Sequence, residues 1–242
     1  NRIADSYFIQ SEYDLAVKNY DKAIAIGKRD VDYSLYKKAE SWGPLNNYEM
    51  KASTFAQLIR DYPNSTYAGN AEYALAETYF RVLNNFDKAI EHYLHIIKVY
   101  PTQTNFVKKS KLDLGYLYAN SKRTQEAIAV LKKVQEDYKG STESKDALKA
   151  LQDIYTEQGN VDVFFVWAEK QGVSVELSAQ DSANYFIAEN YYMSNNCAEA
   201  ITAFRHYIER FPKGYFTNNA HYYKAECERK TQKYAEALQD YS

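Results

Sequence analysis

An all-α architecture of repeated helical hairpins is predicted by three features of this 242-residue sequence. One register position recurs at Ala16, Lys51, Ala89, Ala127, Phe164, Ala200 and Ala237, with gaps of 35, 38, 38, 37, 36 and 37 residues. A period of that length marks stacked supersecondary units, each burying its face on its neighbours, so the chain is expected to be one quasi-one-dimensional array. Residues 183–212 show the unit most plainly: Ala188 and Tyr191 belong to one helix, Ala200 and Phe204 to the next, and Pro212 ends it because it cannot donate the bond of another turn. Composition agrees, since 45% hydrophobic residues with only 8 Gly and 4 Pro is too apolar for disorder and too poor in turn residues for an all-β fold.

The elements follow in order. Residues 1–10 read as the tail of a first helix and 13–26 as its partner, closed by Gly27 as a C-cap. The hairpin 31–63 places Ala39 and Trp42 in its first helix and Phe55, Leu58, Ile59 and Tyr62 in its second; Lys51 takes the small position with Ala52 beside it, and Gly43-Pro44 breaks the turn. In 67–101 one extra residue around Asn84-Asn85 predicts a wider turn, and 106–139 carries Leu114-Gly115 and Tyr118, then Ala127, Leu131 and Val134. The fifth unit has Leu151, Tyr155 and Gly159, but Phe164 replaces the small residue, so its second helix, 161–171, is expected to be short and tilted. The alternating run 173–177 predicts an extended linker, with Ser178 and Asp181 as the capping pair of the next helix. A boundary at 172–178 would divide the array into 1–171, five repeats, and 179–242, two repeats. The last hairpin, 215–242, holds Ala225, Tyr234, Ala237 and Leu238. Helical patterns run up to Asn1 and Ser242, so both ends are expected to be truncated from a longer array.

These spacings resemble the tetratricopeptide pattern, in which A-x3-F and P follow a small residue and an aromatic; Leu114-Gly115-x2-Tyr118 is the fullest match in the chain to its L-G-x2-Y. The resemblance implies a right-handed α-α superhelix of about seven repeats that acts as a scaffold for other proteins, with no catalytic residue, cofactor or metal. The units are longer than the family's usual length of about 34 residues. With the repeat ends Tyr62-Pro63, Tyr100-Pro101 and Phe211-Pro212, they look similar to periplasmic arrays accompanying the Tol-Pal and outer-membrane-assembly machinery, which places the expected role in the cell envelope.

Composition narrows the partner. Lys and Arg number 30 against 32 Asp and Glu, a net charge of -2 with both signs interspersed, so no nucleic-acid footprint is present. No apolar run approaches the roughly 18 residues of a membrane span. The P-loop, nucleophile-elbow and dinucleotide motifs are absent, and His92 and His95, three apart, lack the flanking carboxylate of a zinc motif. Cys197 and Cys227 read as small buried hydrophobes on neighbouring helices, able to form a disulfide in an oxidising compartment. Lys108, Lys109, Lys111, Lys122 and Arg123 read as a solvated face.

The candidate binding surface is the inner face of the first helices, where the resemblance places a peptide-holding groove. One residue after the small position come Asp5, Glu40, Glu77, Tyr116, Asp153, Glu189 and Glu226; one turn earlier, Tyr36, Tyr73, Tyr185 and Tyr222 share that face. Arrays that clamp acidic chaperone tails carry Lys and Asn there, so this chain departs from that subgroup and a basic or donor-rich segment is expected instead. The competing structural reading has each carboxylate accept from a neighbouring tyrosine hydroxyl and tie repeats together. A glycan or cell-wall polymer binder, and an accessory domain of an enzyme, are the alternative roles.

Overall fold

The computed structural model describes residues 1–101 and 104–241, which form fourteen helices and no strand. Two compact units divide the chain. The first, Asn1–Ala147, contains α1 (Arg2–Ile9), α2 (Tyr13–Ile26), α3 (Val31–Trp42), α4 (Tyr48–Asp61), α5 (Ala68–Arg81), α6 (Phe86–Val99), α7 (Thr104–Asn120) and α8 (Thr124–Asp137). The division falls inside α9 (Thr142–Glu157). The second unit, Leu148–Ser242, continues with α10 (Val161–Lys170), α11 (Leu177–Met193), α12 (Cys197–Arg210), α13 (Thr217–Lys230) and α14 (Tyr234–Asp240). The expected boundary at 172–178 therefore lies within the second unit. From α1 to α8, and again from α11 to α14, each helix packs on the next.

The turns inside the hairpins share one geometry. Ser11, Asn46, Asn84, Lys122, Gly159, Asn195 and Gln232 all have positive φ, each immediately before the first helix-flanking residue of the second helix. That next residue turns its amide back: Glu12, Asn47, Arg123, Asn160, Asn196 and Lys233 donate to the carbonyl five residues earlier at 2.8–3.1 Å. This bond satisfies a carbonyl that the ending helix leaves orphaned. Asn85 reaches six back, to Tyr79, so the extra residue near Asn84 does widen that turn. Gly43 is right-handed, and the reversal in its hairpin is made by Asn46 instead. Gly27 closes α2 at φ 65 as the C-cap.

Small residues set how closely the helices approach. Ala4, Ala16, Ala39, Ala76, Ala89, Ala127, Ala188, Ala200 and Ala225 are at most 1% exposed. At Gly115 a Cβ would lie 2.5 Å from Leu131 Cδ2, which is why α7 and α8 need a glycine at their crossing. Lys51 occupies the register position, its amide bonded to Asn47, but the fully buried side chain is that of Ala52. Phe164 is fully buried and packs against Tyr155, Phe165 and Trp167. Its bulk accompanies a short α10 of 10 residues, where α8 and α12 have 14.

One boundary differs from expectation. α11 begins at Leu177 with Glu176 as its flanking residue, so Ser178 is already helical. Asp181 does not cap it; its carboxylate, 8% exposed, accepts the Tyr207 hydroxyl and the Tyr215 amide, the latter at 2.7 Å. A buried carboxylate gains more from two full donors than from a frayed helix end.

Candidate partner-binding face

The first-helix tyrosines meet aromatic residues that open the following hairpin. Tyr36 stacks on Tyr67 at 5.3 Å between ring centroids, Tyr73 lies 6.3 Å from Phe106, and Tyr185 stacks on Phe216 at 4.3 Å. Such offset contacts add roughly 0.5–1.5 kcal/mol to the buried area. Tyr185 is 2% exposed, so its ring belongs to the core and not to a groove wall, a correction to the expected surface. Tyr222 meets Tyr223 at 5.4 Å and Tyr241 at 6.1 Å only edge-on and is 53% exposed. Tyr116 is half-buried on α7.

The carboxylates divide by what they already hold. Asp5 accepts the hydroxyls of Tyr20 and Tyr33 at 2.7 and 2.8 Å, binding α2 and α3 to α1. Burial and then the Asp5 carboxylate push the Tyr33 hydroxyl up to about 12. Glu40 pairs with Lys37 at 2.7 Å; Tyr36 is likewise pushed up to about 12, by burial and then by Glu40. Tyr73 passes over Glu77 and donates to Asp113 Oδ2 at 2.7 Å, while Arg81 joins Asp113 at 3.0 Å and Glu77 at 3.4 Å. Burial raises the carboxyl of Asp113 against the lowering by Tyr73 and Arg81, and burial with the Asp113 charge raises that of Glu77. Glu189 accepts from Tyr185 at 3.0 Å. Glu226 takes Arg229 at 2.9 Å and the Tyr241 hydroxyl, and these two hold its carboxyl down to about 2. Asp153 is exposed on α9.

Several polar ties are not visible as motifs. Glu72 of α5, 2% exposed, receives His92 Nδ1 at 2.6 Å and lies 3.3 Å from His95 Nδ1, so the two imidazoles do have a carboxylate neighbour, from another helix. The sequence signal is a charged residue on the stripe Ala68, Leu75 and Ala76. Among the described residues no group of three His, Cys, Asp or Glu side chains is placed to hold a metal ion. Cys197, in the first turn of α12, and Cys227 of α13 form a disulfide. The lysine face is partly neutralised by Lys108–Glu143 at 3.0 Å and Lys111–Asp137 at 2.8 Å. No helix among the described residues is long and apolar enough to cross a membrane.

One tetratricopeptide-repeat family model matches residues 33–65, 70–102 and 110–141, and a second matches 187–242, together more than half of the chain. The chain belongs to the tetratricopeptide-repeat family. Its shared hairpin turn and small packed residues are therefore those of tetratricopeptide repeats. Solved structures agree on the fold. A tetratricopeptide repeat protein from Parabacteroides merdae is 12% identical, with a TM-score of 0.57 over 98% of this chain and 87% of that one. MamA is 17% identical, with a TM-score of 0.55 over 69% of this chain and 91% of that one. No curated protein matches the sequence. As a tetratricopeptide-repeat protein the chain is a protein-interaction scaffold in general character.

Proposed function

We propose that this array is a non-enzymatic scaffold that holds an extended or helical, basic or donor-rich partner segment on the first-helix face of its second unit. The observation that carries this is the exposure of Tyr222, at 53%, and Phe186, at 44%, on helices that also bear Glu226 and Glu189. On the equivalent face of the first unit Tyr36 is covered by Tyr67 and Asp5 is consumed by Tyr20 and Tyr33; in the second unit Glu189 and Glu226 also accept internal donors, from Tyr185 and Arg229, and a basic segment would share them. Open aromatic rings offer flat surface to Arg or Lys stems, worth about 0.5–1 kcal/mol each, so useful affinity requires several contacts together. The Cys197–Cys227 disulfide supports a place in an oxidising compartment such as the cell envelope.

The test begins with mass spectrometry of proteins that co-purify with the chain, followed by calorimetric titration of the identified partner at two salt concentrations. Tyr222→Ala and the paired change Glu189→Gln with Glu226→Gln are expected to weaken binding and reduce its salt sensitivity with melting unchanged. Lower melting with unaltered affinity makes these groups structural and overturns the proposal. Displacement of the partner by soluble cell-wall fragments transfers the site to the glycan reading.

A further inference from the structure

On the other side of α11 from Tyr185 and Glu189, a cleft of about 500 Å³ opens among the start of α10, α11 and α12. Space exists there because several wall residues are small: Gly159, Ala198 and Ala203. Its floor is apolar, with Val161 at 1% and Ile187 at 8% exposure. Its polar lining is dominated by acceptors. Asn184 is 6% exposed, and its amide nitrogen is committed to the Gln180 carbonyl at 3.0 Å and to Asp162 Oδ1 at 3.5 Å. The amide oxygen of Asn184 is thus left as an acceptor in the lining. Arg210 also engages Asp162, through Oδ1, and Oδ2 lies 3.8 Å from His206 Nε2. Glu199 stands exposed at the rim.

We propose that this cleft receives the side chain of a lysine or arginine from a partner protein, with the methylene stem on Val161 and Ile187 and the cationic head among Asp162 Oδ2, Asn184 Oδ1 and Glu199. An apolar floor below a charged rim matches how such side chains divide, stem buried and head wet. Two carboxylates and an amide oxygen match a head group that only donates. Arg210 offsets part of the negative charge from the Oδ1 side, which limits the site to one cation. The site is independent of the first-helix face and stands or falls separately from it.

The experiment is amide chemical-shift mapping of the isotope-labelled chain titrated with acetyl-Gly-Lys-Gly-amide, its Arg counterpart, and a norleucine counterpart that keeps the stem and lacks the charge. The Lys and Arg peptides are expected to give saturable shifts at 159–162, 184–187 and 198–206, and the norleucine peptide none there. Glu199→Gln, at the surface, should weaken binding about two- to five-fold, the range an exposed ion pair supports; Asn184→Ala should weaken it further. Equal shifts with norleucine, shifts centred elsewhere, or an affinity unchanged by Glu199→Gln overturn the proposal even where Asn184→Ala unfolds.

Discussion

Gly159 and Lys122 hold the same left-handed turn by opposite means, one without a side chain and one despite it. Gly159→Ala would add a Cβ 2.9 Å from the Tyr191 hydroxyl at φ +72, and should destabilise by about 1–2 kcal/mol. Lys122→Gly should stabilise by up to about 1 kcal/mol, because a β-carbon is removed from a conformation that disfavours it. Chemical denaturation of both variants checks this; equal signs would mean the turns are not equivalent. Phe216→Ala uncovers Tyr185 and should cost about 2 kcal/mol, whereas Tyr222→Ala, at a largely exposed ring met only edge-on, should stay within about 0.5 kcal/mol of the parent. At this scale the sequence showed the small packed positions, because their spacing is local. It did not show Asp113, Glu72 or Asp181, whose partners Tyr73, His92 and Tyr207 lie 40, 20 and 26 residues away. A pattern read within one helix carries no record of which neighbour donates to it.

Among the elements, α12 and α13 are joined covalently by Cys197 and Cys227, 30 residues apart. Reduction, or replacement of both by Ser, should lower stability by about 3–4 kcal/mol through the freed loop, measured as melting with and without reductant. An unchanged midpoint would mean the native protein holds two thiols. Between α10 and α11, residues 172–176 are outside any helix, and Gln180 reaches back to the Val175 carbonyl at 3.0 Å. We expect limited proteolysis to cut there before any hairpin turn, since exposed backbone with few bonds opens first; an intact 172–177 after cleavage elsewhere would count against it. The helices themselves were legible from their periodicity and their turn residues. The start of α11 was not, because Ser178 fits a cap by type while the chain enters the helix earlier, at Leu177.

For the molecule as a whole, the repeat period and the all-helical class were legible, since both are written many times over in 242 residues. The division inside α9 was not, because nothing in that helix's own residues marks it. The same repetition makes the protein sensitive to alkali. Tyr33, Tyr36 and Tyr207 are pushed up from 10.0 to about 12, first by burial and then by Asp5, Glu40 and Asp181 respectively. Their folded values are raised, so above the ordinary value the unfolded chain releases protons that the folded chain keeps. This contribution is complete below pH 10 and is lost as pH rises toward about 12. Melting temperature should fall steeply across that window, with phenolate absorbance rising as the fold is lost. A single smooth phenolate titration with unaltered melting would contradict it. The ring pairs Tyr36–Tyr67 and Tyr185–Phe216 each join one hairpin to the next, so near-ultraviolet circular dichroism reads the joints while the far ultraviolet reads the helices. Separation of two hairpins that stay folded would then be visible as a loss of the first signal alone, an optical record of the array coming apart link by link.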